Sequence, residues 1–399
     1  MIKSLRYWKY SDFYIIAFVF YILGSYGVPM LGWNTIFLRV PLYIFILLCC
    51  SGIILKRRKF NSRFFLWYFI FFVYSMFSIL YSPNFSVSAE MFSYIFTAMI
   101  YSLSFITFLQ LSNSYLIIKY IYIIVSIFVG INLILNFSQL HWWSRLGESF
   151  GMNENMVALY FLIPWCFALT ELSNSKKVVK CLNLSAVIVC SYVILLSGSK
   201  KALFAAFLFA LVYYFVKSQN PLKKFKVLIL ISIIAIIVFQ MIMKVPRLYN
   251  ILGYRLEAMF FTFQTNSFGN VGSSTAERGD MIKYAISLFK SSPLVGHGIN
   301  SFKVLYGLET GHSAYAHNNY AEILADLGFI GFIAFYSIYF QIIKRILINR
   351  KKKKELAEFI AFLVMLLFFD IAMVTYYDTR ILMLISIVYY HVREARVNK

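Results

Sequence analysis

Apolar runs of about 17 to 25 residues recur along the whole chain, with short polar gaps between them. A run of that length is what an α-helix needs to cross the hydrocarbon of a bilayer, so the pattern predicts an all-α polytopic membrane protein. Twelve spans are expected, near 13–31, 35–55, 64–81, 91–110, 115–135, 153–171, 180–197, 201–216, 226–243, 318–340, 357–375 and 380–392. The first follows Lys3, Arg6 and Lys9 as in a signal peptide, but no A-x-A-like site comes after it, and it reads as an uncleaved span. The last is short, and Lys200 and Lys201 crowd the head of the eighth. An even number of spans puts both termini on one side.

The single long break in the pattern is 244–317, which divides the chain into nine spans over 1–243, a large extracytoplasmic loop over 244–317, and three spans with a cytoplasmic tail over 318–399. Within the loop, TAERGDMIKYAISLFKSSP reads as an amphipathic helix, since Met281, Ala285 and Leu288 recur at helical spacing; such a helix suits the outer membrane surface. The Gly/Ser/Asn-rich 266–275 reads as a hinge. No internal repeat is visible, which argues against transporter folds built from repeated halves.

Composition sharpens this picture: 61% hydrophobic residues, 42 Phe and a mean hydropathy of +0.74 exclude a water-soluble core and surface. The net charge of +22 is chiefly a topology signal, because 26 of the 38 Lys and Arg fall on the side that holds both termini, making that side cytoplasmic. KRRK and RKKKK lie directly beside spans, where anionic lipid explains them and nucleic acid is not needed. The five cysteines lie in or beside apolar runs without C-x-x-C spacing, so neither a metal site nor a disulfide framework is expected.

Candidate chemistry gathers on the outer side. Regular helical geometry would put His317, Ala321, Leu324, Gly328 and Gly331 within about 80° of arc at the start of the tenth span, with the glycines admitting a neighbouring helix. Asn318, Glu322 and Asp326 form an adjacent polar stripe, for which helix-to-helix hydrogen bonds are the plainer reading. For His317 the competing reading is an interfacial histidine bonded to a loop. His297 and His312 read as loop residues, and His141 as part of an interfacial belt with Trp142 and Trp143.

In LLSGSKKALFAA, Lys200 and Lys201 stand at a helix start after an outward turn, where they would form an anion site or else snorkel to headgroups. RLGESFGMNENMVALY offers Arg145 as a further anion ligand and Asn153 as a helix cap. Asp370 is the lone acid in the eleventh span and has no evident partner. Together Arg145, Lys200, Lys201, Arg278 and His317 fit a lipid-linked phosphate, with cations on the phosphate and neutral His317 as a base.

These residues resemble the O-antigen ligase and O-antigen or capsular polysaccharide polymerase superfamily of bacterial membrane glycosyltransferases. The most specific element is His-Asn-x9-Gly-x-x-Gly, met by His317, Asn318, Gly328 and Gly331 after a long loop. SGSKKA, ERGDMIKYA, PLVGHGINSF and SFGMNEN are similar to the family's other motifs, in the right order.

The resemblance implies His317 as catalytic or acceptor-positioning base. It places Arg278 and the Ser199–Lys200 position on a lipid pyrophosphate; the outward charges of Lys201 and Arg145 are read as further ligands, with Glu277, Asn155 and Asn318 in support. Lysine at 200 departs from the family's arginine and loses the bidentate fork while keeping the charge. It further implies a metal-independent, cofactor-free, inverting transfer from an undecaprenyl-pyrophosphate oligosaccharide to an acceptor glycan at the outer face of the bacterial cytoplasmic membrane. A flippase and a chain-length regulator are the expected protein partners. Polymerase is preferred to ligase on a composition typical of AT-rich genomes; a transporter or flippase is the reading from another class.

Overall fold

The computed structural model describes residues 10–137, 144–172, 176–265 and 274–394. His141, Trp142, Trp143, most of the expected hinge at 266–275 and the charged ends 1–9 and 395–399 lie outside the described residues. All regular elements among those described are helical: α1 (Tyr10–Leu31), α2 (Ile36–Ile54), α3 (Ser62–Ser78), α4 (Phe85–Ala89), α5 (Met91–Phe108), α6 (Ser114–Phe137), α7 (Glu154–Glu171), α8 (Lys177–Ser197) and α9 (Lys200–Lys217), followed by α10 (Pro221–Lys244), α11 (Pro246–Leu248), α12 (Tyr254–Thr265), α13 (Ser274–Ser291), α14 (Ser301–Thr310), α15 (Asn319–Ile348), α16 (Ala357–Ala372) and α17 (Thr379–Glu394).

Eight stretches, in α1, α2, α3, α4 with α5, α6, α8, α10 and α15, are long and apolar enough to cross a membrane, and the chain is a polytopic membrane protein. The other four expected spans are also helices, α7, α9, α16 and α17, each at most 18 residues long. At 16 residues α17 is only about 24 Å long. Its residues Ile381 to Tyr389 are all buried in protein, so its length need not match the hydrocarbon thickness.

The chain forms two compact units. The first comprises Met1–Phe60, Ser104–Ala206 and Pro246–Ile251. Its core is aromatic: the Phe18 ring lies 5.5 Å from Phe45, 5.8 Å from Phe105 and 5.0 Å from Phe108. Lys119 of α6 is buried, paired with Glu171 at 2.7 Å and lying 4.6 Å above the Tyr115 ring, which compensates its charge inside the helix layer.

The second unit comprises Asn61–Leu103, Phe207–Val245 and Leu252–Lys399. Here α3 packs on α15 and α17. The Trp67 indole N–H donates to the Phe335 carbonyl at 2.8 Å, and Phe64 and Tyr389 rings meet at 5.3 Å. Asp370 has the partners that the sequence did not reveal: it accepts from the Thr375 hydroxyl and, at 3.2 Å, from the Tyr336 hydroxyl.

Residues 244–317 carry the short helices α11 to α14. Met281, Ala285 and Leu288 of α13, expected against the membrane surface, instead pack on Phe302, Ala316, Ala321 and Ala325. The apolar stripe was legible. Its partners are Phe302 of α14, Ala316 in the loop before α15, and Ala321 and Ala325 of α15, which together present an apolar face.

Candidate functional site

The site in the second unit is built on a broken helix. Gly328 has φ 62° and ψ −165°, so α15 is two helical segments meeting at a kink. A break there orphans the bonds that Phe329 and Ile330 would donate to Ala325 and Asp326. The Pro293–Gly298 turn supplies both sides of the exchange. Phe329 and Ile330 N–H donate to Pro293 and Leu294 carbonyls at 2.9 and 3.2 Å, while His297 and Gly298 N–H donate to the Ala325 and Asp326 carbonyls at 3.1 and 2.7 Å. The approach is too close for side chains: a Cβ on Gly296 would stand 2.4 Å from the Asp326 carbonyl oxygen, and one on Gly328 2.4 Å from that of Leu294. Tyr74 covers the remaining Leu327 carbonyl at 3.0 Å.

This corrects the expected helical face. His317 is not on α15; it precedes the capping residue Asn318 and has φ 53°, a left-handed conformation that histidine adopts more readily than most residues. Gly328 does not admit a neighbouring helix but the 293–298 turn, whereas Gly331 faces Leu327 of its own helix and Tyr74 of the neighbouring α3. The polar stripe binds the start of α14, the loop before α15 and, through Asn318, the end of α16. Asp326 accepts from Asn300 and Phe302 N–H at 2.8 and 2.7 Å and thereby caps α14, where Asn300 has φ 61°. Glu322 accepts from Ala316 N–H at 2.7 Å. Asn318 accepts from Ala321 N–H at 2.9 Å and donates to the Ile371 carbonyl at 3.1 Å. The result is a backbone loop clamped on both sides of a half-buried His317.

Tyr315 joins the two motifs of this unit. Its ring lies 4.0 Å from that of His317, and its phenol and Arg278 act on one another electrostatically. Burial lowers the Arg278 pKa from its ordinary value and Arg255 adds to this, while Tyr315 and Glu277 oppose it. No carboxylate among the described residues forms an ion pair with Arg278. A guanidinium is always charged, so this is a desolvated cation suited to a bound anion. Glu277 is exposed beside it. His297 bonds Leu288 and Ser291 within the turn, as a loop residue would.

The remaining candidates gather in the first unit, where two sequence clusters prove to be one. The Leu146 N–H donates to the Leu196 carbonyl at 3.0 Å, and the Ser199 hydroxyl donates to Asn155 at 2.8 Å, so the loop before α7 grips the turn between α8 and α9. Gly198 at φ 63° ends α8, and Ser199 begins α9 with Lys200 and Lys201 half-buried in its first turn. Arg145 differs from expectation. It pairs with Glu154 at 3.0 Å and donates to the Ser197 carbonyl at 2.9 Å, so its charge is already met and it braces this turn.

Residues 185–336 match the family model for O-antigen ligase. The matched stretch contains Ser199, Lys200, Lys201, Glu277, Arg278, His317, Asn318, Gly328 and Gly331, and the resemblance carried by the sequence motifs is borne out. The teichuronic acid biosynthesis protein TuaE of Bacillus subtilis (strain 168) is 23% identical over 294 residues, covering 69% of this chain and 58% of TuaE. The chain thus spans rather more than half the length of that relative.

Sequence reasoning missed Tyr315, Tyr377, Asn319 and the Asp378–Arg380 pair. Asn319 accepts from Thr375 N–H at 2.9 Å and so ties the loop between α16 and α17 to the residue next to Asn318. For Asp378, burial alone would raise the carboxyl, but the Arg380 guanidinium and local hydrogen bonds outweigh it and hold the pKa below its ordinary value. The signal was available: YYDTR is a polar, aromatic cluster between two spans.

Proposed function

We propose that the chain is an inverting membrane glycosyltransferase of polysaccharide biosynthesis that joins lipid-linked oligosaccharide repeat units at the outer face of the bacterial cytoplasmic membrane. The observation that carries this reading is His317, held outside its helix by Glu322 and Asn318 and linked through Tyr315 to a desolvated Arg278 that forms no ion pair with a carboxylate among the described residues. In the proposed step the acceptor hydroxyl oxygen attacks the anomeric carbon of an undecaprenyl-pyrophosphate glycan. The bond to the pyrophosphate oxygen breaks with its electron pair, and the hydroxyl proton passes to His317. Arg278 meets the developing pyrophosphate charge, so no metal is required of the reading. Within the first unit, Lys200 and Lys201 are proposed as anion ligands at the start of α9. Arg145 and Asn155 take the role of holding the Ser199–Lys200 turn. Both termini are assigned to the cytoplasm by the positive-inside bias, and residues 244–317 to the outer side. A flippase supplying the donor and a chain-length regulator belong to the same reading.

The family model's description favours a second reading, a ligase moving a finished glycan to lipid A core, cell wall or protein. The name of TuaE, a teichuronic acid biosynthesis protein, fits either. Reconstitution with a defined undecaprenyl-pyrophosphate oligosaccharide and EDTA separates them. A ladder of multiples supports polymerisation, and one addition to a foreign acceptor supports ligation. Sugar crossing the bilayer without transfer overturns both. His317→Ala is expected to abolish transfer while donor binding persists, and Arg278→Ala to weaken donor binding; normal turnover by His317→Ala would remove the assignment of the base.

A further inference from the structure

We propose that Tyr315 and Tyr377 form the seat of the acceptor sugar, gripping a pyranose by its C–H face beside His317, an inference that rests on the transferase reading above. The two rings stand on loops that are tied to one another through Asn319. The loop ending at His317 carries Tyr315, and the loop between α16 and α17 carries Tyr377. Asn318 and Asn319 stitch the two through the Ile371 carbonyl at 3.1 Å and the Thr375 and Tyr376 N–H groups at 2.9 and 3.3 Å. Tyr377 is set edge-on to Tyr376 at 4.9 Å and lies 6.0 Å from Tyr94, and Tyr376 is itself fixed because its carbonyl accepts from Tyr68 at 2.6 Å. Tyr315, Tyr377 and Glu322 are near enough to act on one another electrostatically.

Tyr315 is not spent on packing: it remains 39% exposed beside the buried Ala316. Tyr377 is half-buried between Tyr376 and Tyr94. An interfacial belt would explain exposed tyrosines that face lipid. Tyr315 does not fit that account, because its ring lies 4.0 Å from that of His317 and its phenol and Arg278 act on one another electrostatically. A hydrocarbon tail does not suit these surroundings: His317 lies against Tyr315, and Arg278 and Asp378 act electrostatically on Tyr315 and Tyr377 respectively. A neutral, hydroxylated ring suits this mixture. Its C–H groups, polarised by adjacent oxygens, meet the electron-rich ring faces, and its hydroxyls meet the polar rim. Placed there, one hydroxyl falls within the neighbourhood of His317, as a sugar to be glycosylated must.

The test uses the full-length protein in nanodiscs and free oligosaccharide cut from the envelope polysaccharide of the producing cells, with binding read by saturation-transfer NMR. Transfer is assayed in parallel with the lipid-linked donor, giving separate KM values for donor and acceptor. Tyr315→Leu and Tyr377→Leu are each expected to weaken oligosaccharide binding and raise the acceptor KM roughly tenfold, the size of one lost ring-face contact, with a much smaller change in donor KM. Tyr315→Phe, which keeps the ring, is expected to lose about a third as much or less. Donor KM serves as the check that each variant is folded. The seat is overturned if both leucine variants bind the oligosaccharide like the parent while the parent transfers normally. It is equally overturned if Tyr315→Phe loses as much as Tyr315→Leu, which would assign the effect to the hydroxyl and Arg278, or if undecaprenyl phosphate alone displaces the sugar signal. A parent protein that binds oligosaccharide but transfers nothing overturns the transferase reading, and the acceptor role with it.

Discussion

Gly328→Ala tests the broken helix most directly. The residue occupies φ 62°, ψ −165°, a region that is essentially restricted to glycine and costs about 1–3 kcal/mol for other residues. The new Cβ would also lie 2.4 Å from the Leu294 carbonyl oxygen and 2.6 Å from the Val295 nitrogen, both backbone atoms that cannot swing aside. Relief requires the 293–298 turn to withdraw. Withdrawal breaks the four hydrogen bonds linking it to α15, each worth about 1 kcal/mol net. The sum of strain and lost bonds is on the order of 5 kcal/mol. Gly311→Ala is the control, since Gly311 has φ 73° with nothing within 4 Å of its Cβ position and carries only the conformational cost. In detergent, tryptophan-fluorescence melting should place Gly328→Ala on the order of 10 °C below the parent, and Gly311→Ala only a few degrees below. Equal shifts for the two variants would refute the argument that the turn fills the break.

Asp326→Asn should lower stability by about 1–3 kcal/mol, because an amide offers one oxygen where the carboxylate accepts two N–H groups at the start of α14; limited proteolysis within 299–310 would register it. Lys200→Arg should support transfer within about threefold of the parent if charge is what the α9 start provides, and a loss of 100-fold would show that the ammonium's compact shape matters. Glu154→Gln removes the charge that meets Arg145 and should destabilise the α8–α9 turn by about 3 kcal/mol; a melting point equal to the parent's would mean that the pair braces nothing.

The helices were legible because each had to carry its own backbone hydrogen bonds through an apolar medium, which leaves an unmistakable run of residues. The amphipathic stripe of α13 was legible for the same reason of periodicity. The identity of what covers each helix was not. Gly328 inside an apolar run looks like any small residue in a membrane helix, and nothing local announces a φ of 62°. Asp326 and Glu322 sit at helical spacing with Asn318, yet their partners are N–H groups at the start of α14 and in the loop before α15, supplied by Asn300, Phe302 and Ala316. Arg145 read as available because its partner, Glu154, came from the other side of a Gly-rich loop. Periodicity reports which face is apolar, whereas these contacts depend on where loops return.

The turn at 293–298 bears on how the protein is made. The insertion machinery meets 319–348 as one continuous apolar segment, yet α15 has a gap in its own hydrogen bonding at Gly328. Lipid offers no donors or acceptors to cover such a gap. The patch that covers it leaves the ribosome earlier than the segment it repairs, so it has been made by the time the opening arrives. Deleting or delaying that patch would expose bare peptide groups during insertion, and the protein would be lost to quality control before its chemistry could be measured.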